Sequence, residues 1–397
     1  MSLNAKHANE PFCDLSIPLA AGMRHLVLLG AGHAHVQVLH SLAKDRPADL
    51  AVTLVSPHAR QLYSGMVPGF VAGHYTLDEC MIPLAGLLAR CGVRHMQGSA
   101  AKLDADARTV TVSSGETVRY DWLSLNTGPV MDREKIEAQM PGAREHALFV
   151  RPIDVFGQLW PRVAEMASQK NLHLAVVGAG AAGLELAMAA AHALGGPSSA
   201  PGCRVTLISG AQAPGASYPA GVQRRIARAL QRLRIEVLRE SCVGLDADGI
   251  MLGNGLRLAC DAPLLALGAQ APEWLAGSGL ALDEAGFVAV NAFQQSTSHP
   301  AVFAAGDVAS RADASHARSG VYAVRAGPPL LANLRAAWQD QPLKPYAPQK
   351  RTLSLLSCGS RHAIAVWGGL SVEGHWVWRW KDRIDRRFVA AYAAPLE

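Results

Sequence analysis

The chain carries one short pattern twice: an apolar run, a tight glycine turn, then a run of small and apolar residues. The first copy is His25-Leu26-Val27-Leu28-Leu29-Gly30-Ala31-Gly32-His33-Ala34-His35-Val36. The second is Leu172-His173-Leu174-Ala175-Val176-Val177-Gly178-Ala179-Gly180-Ala181-Ala182-Gly183-Leu184-Glu185. A continuous apolar run reads as a parallel strand buried on both faces. Glycine allows the sharp turn and the close approach of a diphosphate. The amides that open the following helix are free donors for that anion. All three glycines of G-x-G-x-x-G stand in the second copy, at Gly178, Gly180 and Gly183. In the first, Gly30 and Gly32 are present and His35 takes the third place. One such turn is weak evidence, but two in one chain imply two dinucleotides and electron transfer between them.

The rest of the sequence bounds this reading. A chain of 397 residues is too long for one ordinary core, so two or three domains are expected. Half the residues are hydrophobic and 17% are charged, which places the chain among globular proteins. A net charge of +5, with no basic run interleaved with aromatics, argues against nucleic acid. No apolar run reaches membrane-span length, and the N-terminus lacks a secretory pattern. Residues 1–22 read as an irregular extension or an added leader. Seven cysteines, an odd number without C-x-x-C, fit neither a zinc site nor a disulfide framework and suit a reducing cytoplasm. The histidines are scattered, and no metal site is predicted.

Taken in order, the first turn opens a helix over 33–42. The next strand, 51–55, ends at Ser56, where a dinucleotide fold usually places an acid for a ribose hydroxyl. Residues 61–75 form a long loop of the kind that tends to carry function. A helix over 77–91 and a meander over 93–119 follow. A strand from Asp121 then ends in Thr127-Gly128. From about Phe149 the plan repeats: a helix over 153–168, the second turn with its helix to Leu194, a strand over 205–208, a basic helix over 219–233, a meander over 235–260, and a strand ending at Gly268. The internal repeat is a stronger signal than either turn. A third signal is Phe303-Ala304-Ala305-Gly306-Asp307, whose glycine admits a ligand and whose carboxylate can accept a sugar or ribityl hydroxyl. Residues 319–338 read as helical, 341–349 as a linker, and the last fifty as strands and a helix over 376–392.

In that last helix Trp376, Trp380, Ile384 and Phe388 recur every fourth residue and share a face. Arginines and Lys381 surround them. Such a helix can lie in a membrane interface, as a quinone reductase would require. Asp382 and Asp385 interrupt the basic face, so docking on the protein's own core, or on a twin subunit in a homodimer, is preferred.

These signals, in this order, resemble the pyridine nucleotide-disulfide oxidoreductases, flavoproteins with two dinucleotide-binding domains. The likeness covers nearly the whole chain from residue 24. Gly30-Ala31-Gly32-His33-Ala34-His35-Val36, Tyr63-Ser64-Gly65-Met66-Val67-Pro68-Gly69 and Gly320-Val321-Tyr322-Ala323-Val324-Arg325-Ala326-Gly327-Pro328 are similar to the type II NADH dehydrogenase-like branch that accompanies selenide, water dikinase. The resemblance implies an α/β fold: two Rossmann-like domains, the FAD domain split by an inserted NAD(P)-binding domain, and a small C-terminal α+β unit. The implied bounds are 24–148 and 273–340 for FAD, 149–272 for NADH or NADPH, and 341–397 for the tail.

By the same resemblance, Gly30, Gly32, His33, Ala34, His35, Ser56, Thr127, Gly128, Gly306 and Asp307 hold FAD. The amides near Gly320, Val321 and Tyr322 face the flavin's pyrimidine end, where donors stabilise developing negative charge. Gly178, Gly180 and Gly183 cradle the nicotinamide cofactor, and Glu185 contacts its ribose or carboxamide. Glu185 and Tyr322 are the candidates for a direct part in catalysis. Plainer roles stand beside these: Glu185 as a first-turn acid favoured by the helix dipole, His33 and His35 as packing residues, Arg325 as a solvated charge, Tyr63 and Met66 as core. Ser209-Gly210 stand where an acid would mark NADH, so NADH and NADPH stay open. No redox cysteine pair matches the disulfide reductases. The expected activity is electron passage from NAD(P)H through FAD directly to a quinone-like or selenium-related small molecule. The alternatives are a sulfide:quinone-type enzyme and a non-catalytic flavin-bound partner of a selenium-handling enzyme.

Overall fold

A computed structural model describes residues 22–195 and 202–393; the N-terminal extension read from the sequence lies almost wholly outside them. Two parallel five-stranded sheets organise the chain. In the first, the strands Val302–Ala304, Trp122–Leu125, Arg24–Leu29, Leu50–Ser56 and Arg94–Gln97 lie side by side. In the second the order is Leu148–Phe149, Ala262–Leu265, His173–Val177, Arg204–Ile208 and Glu236–Leu238. Each sheet places its glycine-turn strand at the centre, and chain order reverses between that strand and its neighbour Trp122–Leu125 or Ala262–Leu265. Open parallel sheets bind ligands at this switch point, beyond the carboxyl ends of the strands.

Burial drives both centres. Leu26, Val27, Leu28 and Leu29 are at most 1% exposed, so truncating one of the leucines to alanine costs about 2–5 kcal/mol. The repeat extends to polar side chains. His25 Nε2 meets Thr53 Oγ1 at 2.8 Å in the first sheet, and His173 Nε2 meets Thr206 Oγ1 at 2.8 Å in the second. The amide of His25 donates to Asp121, and that of His173 to Asp261. Each half also carries a three-stranded antiparallel meander, Ala100–Asp104 with its two partners and Cys242–Asp246 with its two.

Local departures from the sequence expectations have plain causes. The helix expected over 77–91 is a 3-10 turn at Asp78–Cys80, a strand Met81–Pro83 paired with Arg60–Leu62, and a helix only over Ala85–Cys91. Pro83 lacks the amide that a helix interior needs. The first strand of each expected meander joins the parallel sheet instead. The long loop holds a 3-10 turn Ser64–Met66 and a short helix Val67–Val71. The helix expected over 319–338 divides into Gly320–Arg325 and Gly327–Trp338, with Pro328 and Pro329 opening the second piece.

The C-terminal unit is a three-stranded antiparallel sheet, Leu353–Ser357, Ala363–Trp367 and Leu370–Gly374, followed by the helix His375–Ala393. It bridges the two larger halves. Arg225 and Arg228, on the helix Ala220–Arg232, hold Glu373 at 2.9 and 2.8 Å. On the other side Tyr75 donates to Asp382 at 2.7 Å and Arg386 reaches Glu79 at 2.9 Å. The aromatic stripe does not dock on the protein's own core: Trp376, Trp380 and Ile384 are 40–52% exposed. The helix instead buries Val377, Lys381, Asp385 and Val389. The Lys381 ammonium is satisfied by Asp385 and by the Gly65 carbonyl at 2.6 Å, which is what a buried charge requires. Only Phe388 of the stripe packs inward, stacked on Tyr63 with ring centres 4.6 Å apart. No helix among the described residues is long and apolar enough to cross a membrane.

Candidate functional site

The first glycine turn is closed by Asn126, a residue the sequence reading passed over. The Asn126 carbonyl accepts from the Gly32 amide at 3.0 Å. Its side-chain oxygen accepts from the amides of Ala34 and His35 at 3.1 and 3.2 Å, capping the helix His33–Lys44 from outside. Its side-chain nitrogen donates to Ala305 O at 2.6 Å, just before Gly306-Asp307. One amide thus ties together the ends of three strands. The glycines follow from that closeness. A Cβ on Gly32 would lie 2.3 Å from Asn126 Oδ1, one on Gly30 2.5 Å from Thr127 Cα, and one on Gly306 2.7 Å from Asn126 Nδ2. Gly32 is therefore required by the protein's own packing, whatever approaches from outside.

His35 shows why a third glycine is dispensable here. Its ring is fully buried, with Nδ1 2.5 Å from Gly30 O and Nε2 2.8 Å from Ser124 Oγ. A carbonyl only accepts, so Nδ1 carries the proton and Ser124 donates to Nε2. Burial pulls the imidazole down to about 4, so it is neutral. It bolts the turn to the neighbouring strand, and its ring has no free polar atom to offer a ligand. His33, also lowered to about 4 by burial and by Arg151, contacts Gln61 and lies 5.2 Å from the Tyr63 ring. Two donors remain at this turn: among the described residues, the amides of Ala31 and His33 have no acceptor.

The surroundings of those donors are charged. Asp307 follows Gly306, whose φ is +71°. Its carboxyl is raised by burial, opposed by Arg151, and no described residue donates a hydrogen bond to it. Arg151 is likewise mostly buried, lowered by desolvation, and without a hydrogen bond or ion pair among the described residues. It enters from the edge strand of the second half and acts electrostatically on both His33 and Asp307. A lone arginine before a proline gave no sequence signal. An unbonded guanidinium, an unbonded carboxylate and two free amides at one switch point fit the diphosphate and polyol of a flavin dinucleotide.

The other expected FAD contacts are less direct. The Ser56 hydroxyl donates to His58 O at 3.0 Å. Thr127 is exposed and Gly128, at φ +74°, faces open space. The helix Gly320–Arg325 starts near Ser64, whose Oγ lies 3.7 Å from a Cβ built on Gly320. The Tyr322 hydroxyl donates to Gln349 O at 3.1 Å and its ring stacks on His316 at 4.3 Å. What Tyr322 offers at the helix start is its amide. Arg325 is exposed.

The second turn is built differently. Gly178 and Gly183 are needed internally: their Cβ atoms would fall 2.4 Å from Ala266 O and 1.9 Å from Gly178 O. Gly180, by contrast, has nothing within 4 Å. The helix Ala181–Leu194 has no side-chain cap, and its first residues are exposed. Beside the turn, at the carboxyl ends of the central strands, lies a cavity of about 540 Å³ lined by Gly178, Ser209, Gly210, Glu240 and Gln270 among others.

Glu185 turns away from this mouth. Its carboxylate accepts from the Ser357 amide at 2.7 Å in the C-terminal sheet. Burial pushes it up to about 7, against the pull of Lys381. Its place is the junction of the three units. The six described cysteines are all free thiols. Cys80 and Cys91 each donate to a carbonyl of their own turn, and burial pushes them up to about 12 and about 11. No group of residues among those described is arranged to hold a metal.

Comparison with known proteins agrees with this architecture. The family model for pyridine nucleotide-disulphide oxidoreductase matches residues 24–327. An NADH dehydrogenase-like protein of Mycobacterium tuberculosis is 28% identical over 307 residues, covering 74% of this chain and 75% of the relative. Two solved structures share the fold. The sulfide:quinone oxidoreductase of Aquifex aeolicus has a TM-score of 0.75 at 18% identity, covering 94% of this chain and 93% of that one. The NDH2 of Plasmodium falciparum in complex with NADH has a TM-score of 0.73 at 13% identity, covering 94% and 99%.

Proposed function

The chain belongs to the pyridine nucleotide-disulphide oxidoreductase family, FAD- and NAD(P)H-dependent oxidoreductases, and from that premise we propose that it passes electrons directly to a quinone-type acceptor. The reading rests on the doubled turn: two switch points, each opening on helix-start amides with no acceptor among the described residues. FAD is assigned to the first and the nicotinamide dinucleotide to the second. Bound there, FAD would supply two-electron chemistry, hydride acceptance from the nicotinamide and onward electron transfer. The amides of Ala31 and His33 and the Arg151 guanidinium would hold the diphosphate, and Asp307 would accept from the ribityl chain. The amides of Gly320, Val321 and Tyr322 would donate to the flavin's pyrimidine end and stabilise the negative charge that develops there on reduction. Reducing a quinone also takes up protons. Glu185, raised by burial to about 7 at the junction of the three units, titrates in the range where such protons are exchanged.

The sulfide-using alternative needs two reactive thiols beside the flavin, and the buried thiols of Cys80 and Cys91 are poor candidates. The exposed row Trp376, Trp380 and Ile384, flanked by exposed Arg379, Arg383 and Arg387, suits an anionic membrane surface where a quinone resides. The selenium-related acceptor rests only on the resemblance of the sequence motifs, and the relatives described above add no support to it.

The test is spectroscopic. Purified protein should be yellow, and NADH or NADPH should bleach the flavin without oxygen. A soluble quinone should restore the colour faster than selenite does. A flavin that neither nucleotide reduces would favour the non-catalytic partner, and a preference for selenite would displace the quinone.

A further inference from the structure

The residue after the strand Arg204–Ile208 is Ser209, so the acid that usually holds the adenosine ribose is missing from its ordinary place. The cavity beside the second turn nevertheless contains one. Glu240 lines it from beyond the adjacent strand, Glu236–Leu238. The backbone fixes its position: Ser209 N donates to Leu238 O at 2.9 Å, and Gly210 N donates to Glu240 O at 3.0 Å. Among the described residues nothing donates a hydrogen bond or ion pair to the Glu240 carboxylate. No lysine, arginine or histidine lines the cavity, so Glu240 is its sole charged side chain. Arg239 does not alter this: it is exposed, donates to Ala211 O at 3.1 Å, and is not part of the lining.

We infer that the cavity selects NADH over NADPH, with Glu240 supplying the ribose-binding acid from the neighbouring strand. A carboxylate can accept from both hydroxyls of the adenosine ribose. A 2′-phosphate would remove one of those donors and bring a dianion against the carboxylate with no cation to offset it. The inference rests on the assignment of this cavity to the nicotinamide dinucleotide.

Calorimetric titration of the FAD-loaded protein with NAD⁺ and NADP⁺ tests it without turnover. NAD⁺ should bind at least about tenfold more tightly, the scale of hydrogen bonds to a charged group. Glu240→Gln should weaken NAD⁺ and narrow the gap, Glu240→Arg should reverse it, and Arg239→Ala should leave both affinities in place. Equal or tighter binding of NADP⁺ to the unmodified protein, or a preference that follows Arg239, overturns the choice of NADH and leaves the site assignment standing. If neither dinucleotide binds and neither reduced form bleaches the flavin, the site assignment falls with it.

Discussion

The two glycine turns share a strand, a turn and a helix, yet they are finished in opposite ways. The first is closed by its own protein: Asn126 caps the helix and His35 bolts the turn to the next strand. The second is open: Gly180 faces empty space and its helix start is uncapped. A permanently held cofactor suits a rigid pocket with few free donors. A substrate that enters and leaves at each turnover suits an exposed mouth whose donors are satisfied only when it is there. On the proposed assignment, the contrast separates a resident site from an exchange site in one repeated fold.

Substitutions that exploit this contrast should differ most at the glycines. Gly32→Ala forces a Cβ into Asn126 and should destabilise the protein by about 1–3 kcal/mol, with loss of flavin on purification. Thermal melts and the visible spectrum measure both. Asn126→Ala should cost about 1–2 kcal/mol through the lost cap. It should weaken flavin retention while leaving NAD⁺ affinity at the second turn within about twofold by calorimetry.

Glu185 sharpens the comparison through pH. Its folded value, about 7, lies above the ordinary 4.5, so the protonated form favours the fold. That contribution is whole below the ordinary value and disappears as pH rises through about 7. Melting temperature should therefore fall across this window, and Glu185→Gln should remove that part of the fall. The smallest stability effect belongs to Gly180→Ala, which meets nothing in the protein. It should stay within about 0.5 kcal/mol of the parent, while KM for the nicotinamide nucleotide rises several-fold. If Gly180→Ala instead lost flavin and Gly32→Ala kept it, the roles of the two turns would be reversed.

How far the sequence reached depends on the range of the interaction. The strand–turn–helix units and the repeat are local patterns, and they were readable. Asn126 was not, because its partners stand 91 residues before it and 179 after. Its own neighbours, Leu125 and Thr127, say only that a strand is ending. His35 was visible as a departure from G-x-G-x-x-G, but its reason, a bond to Ser124 on another strand, is tertiary. Arg151 carries no motif at all. In the last helix a four-residue spacing found one face, yet the face that is buried holds Lys381 and Asp385. A pattern that counts charges as solvent-facing cannot see an ion pair that satisfies itself.

The central claim is that electrons pass from the nicotinamide through one flavin to the acceptor with no thiol relay. Anaerobic reductive titration with dithionite counts the electrons directly. Two electrons per flavin, giving fully reduced flavin without a charge-transfer band, is the predicted result. Uptake of four, with long-wavelength absorbance midway, would reveal a redox-active disulfide and contradict the account.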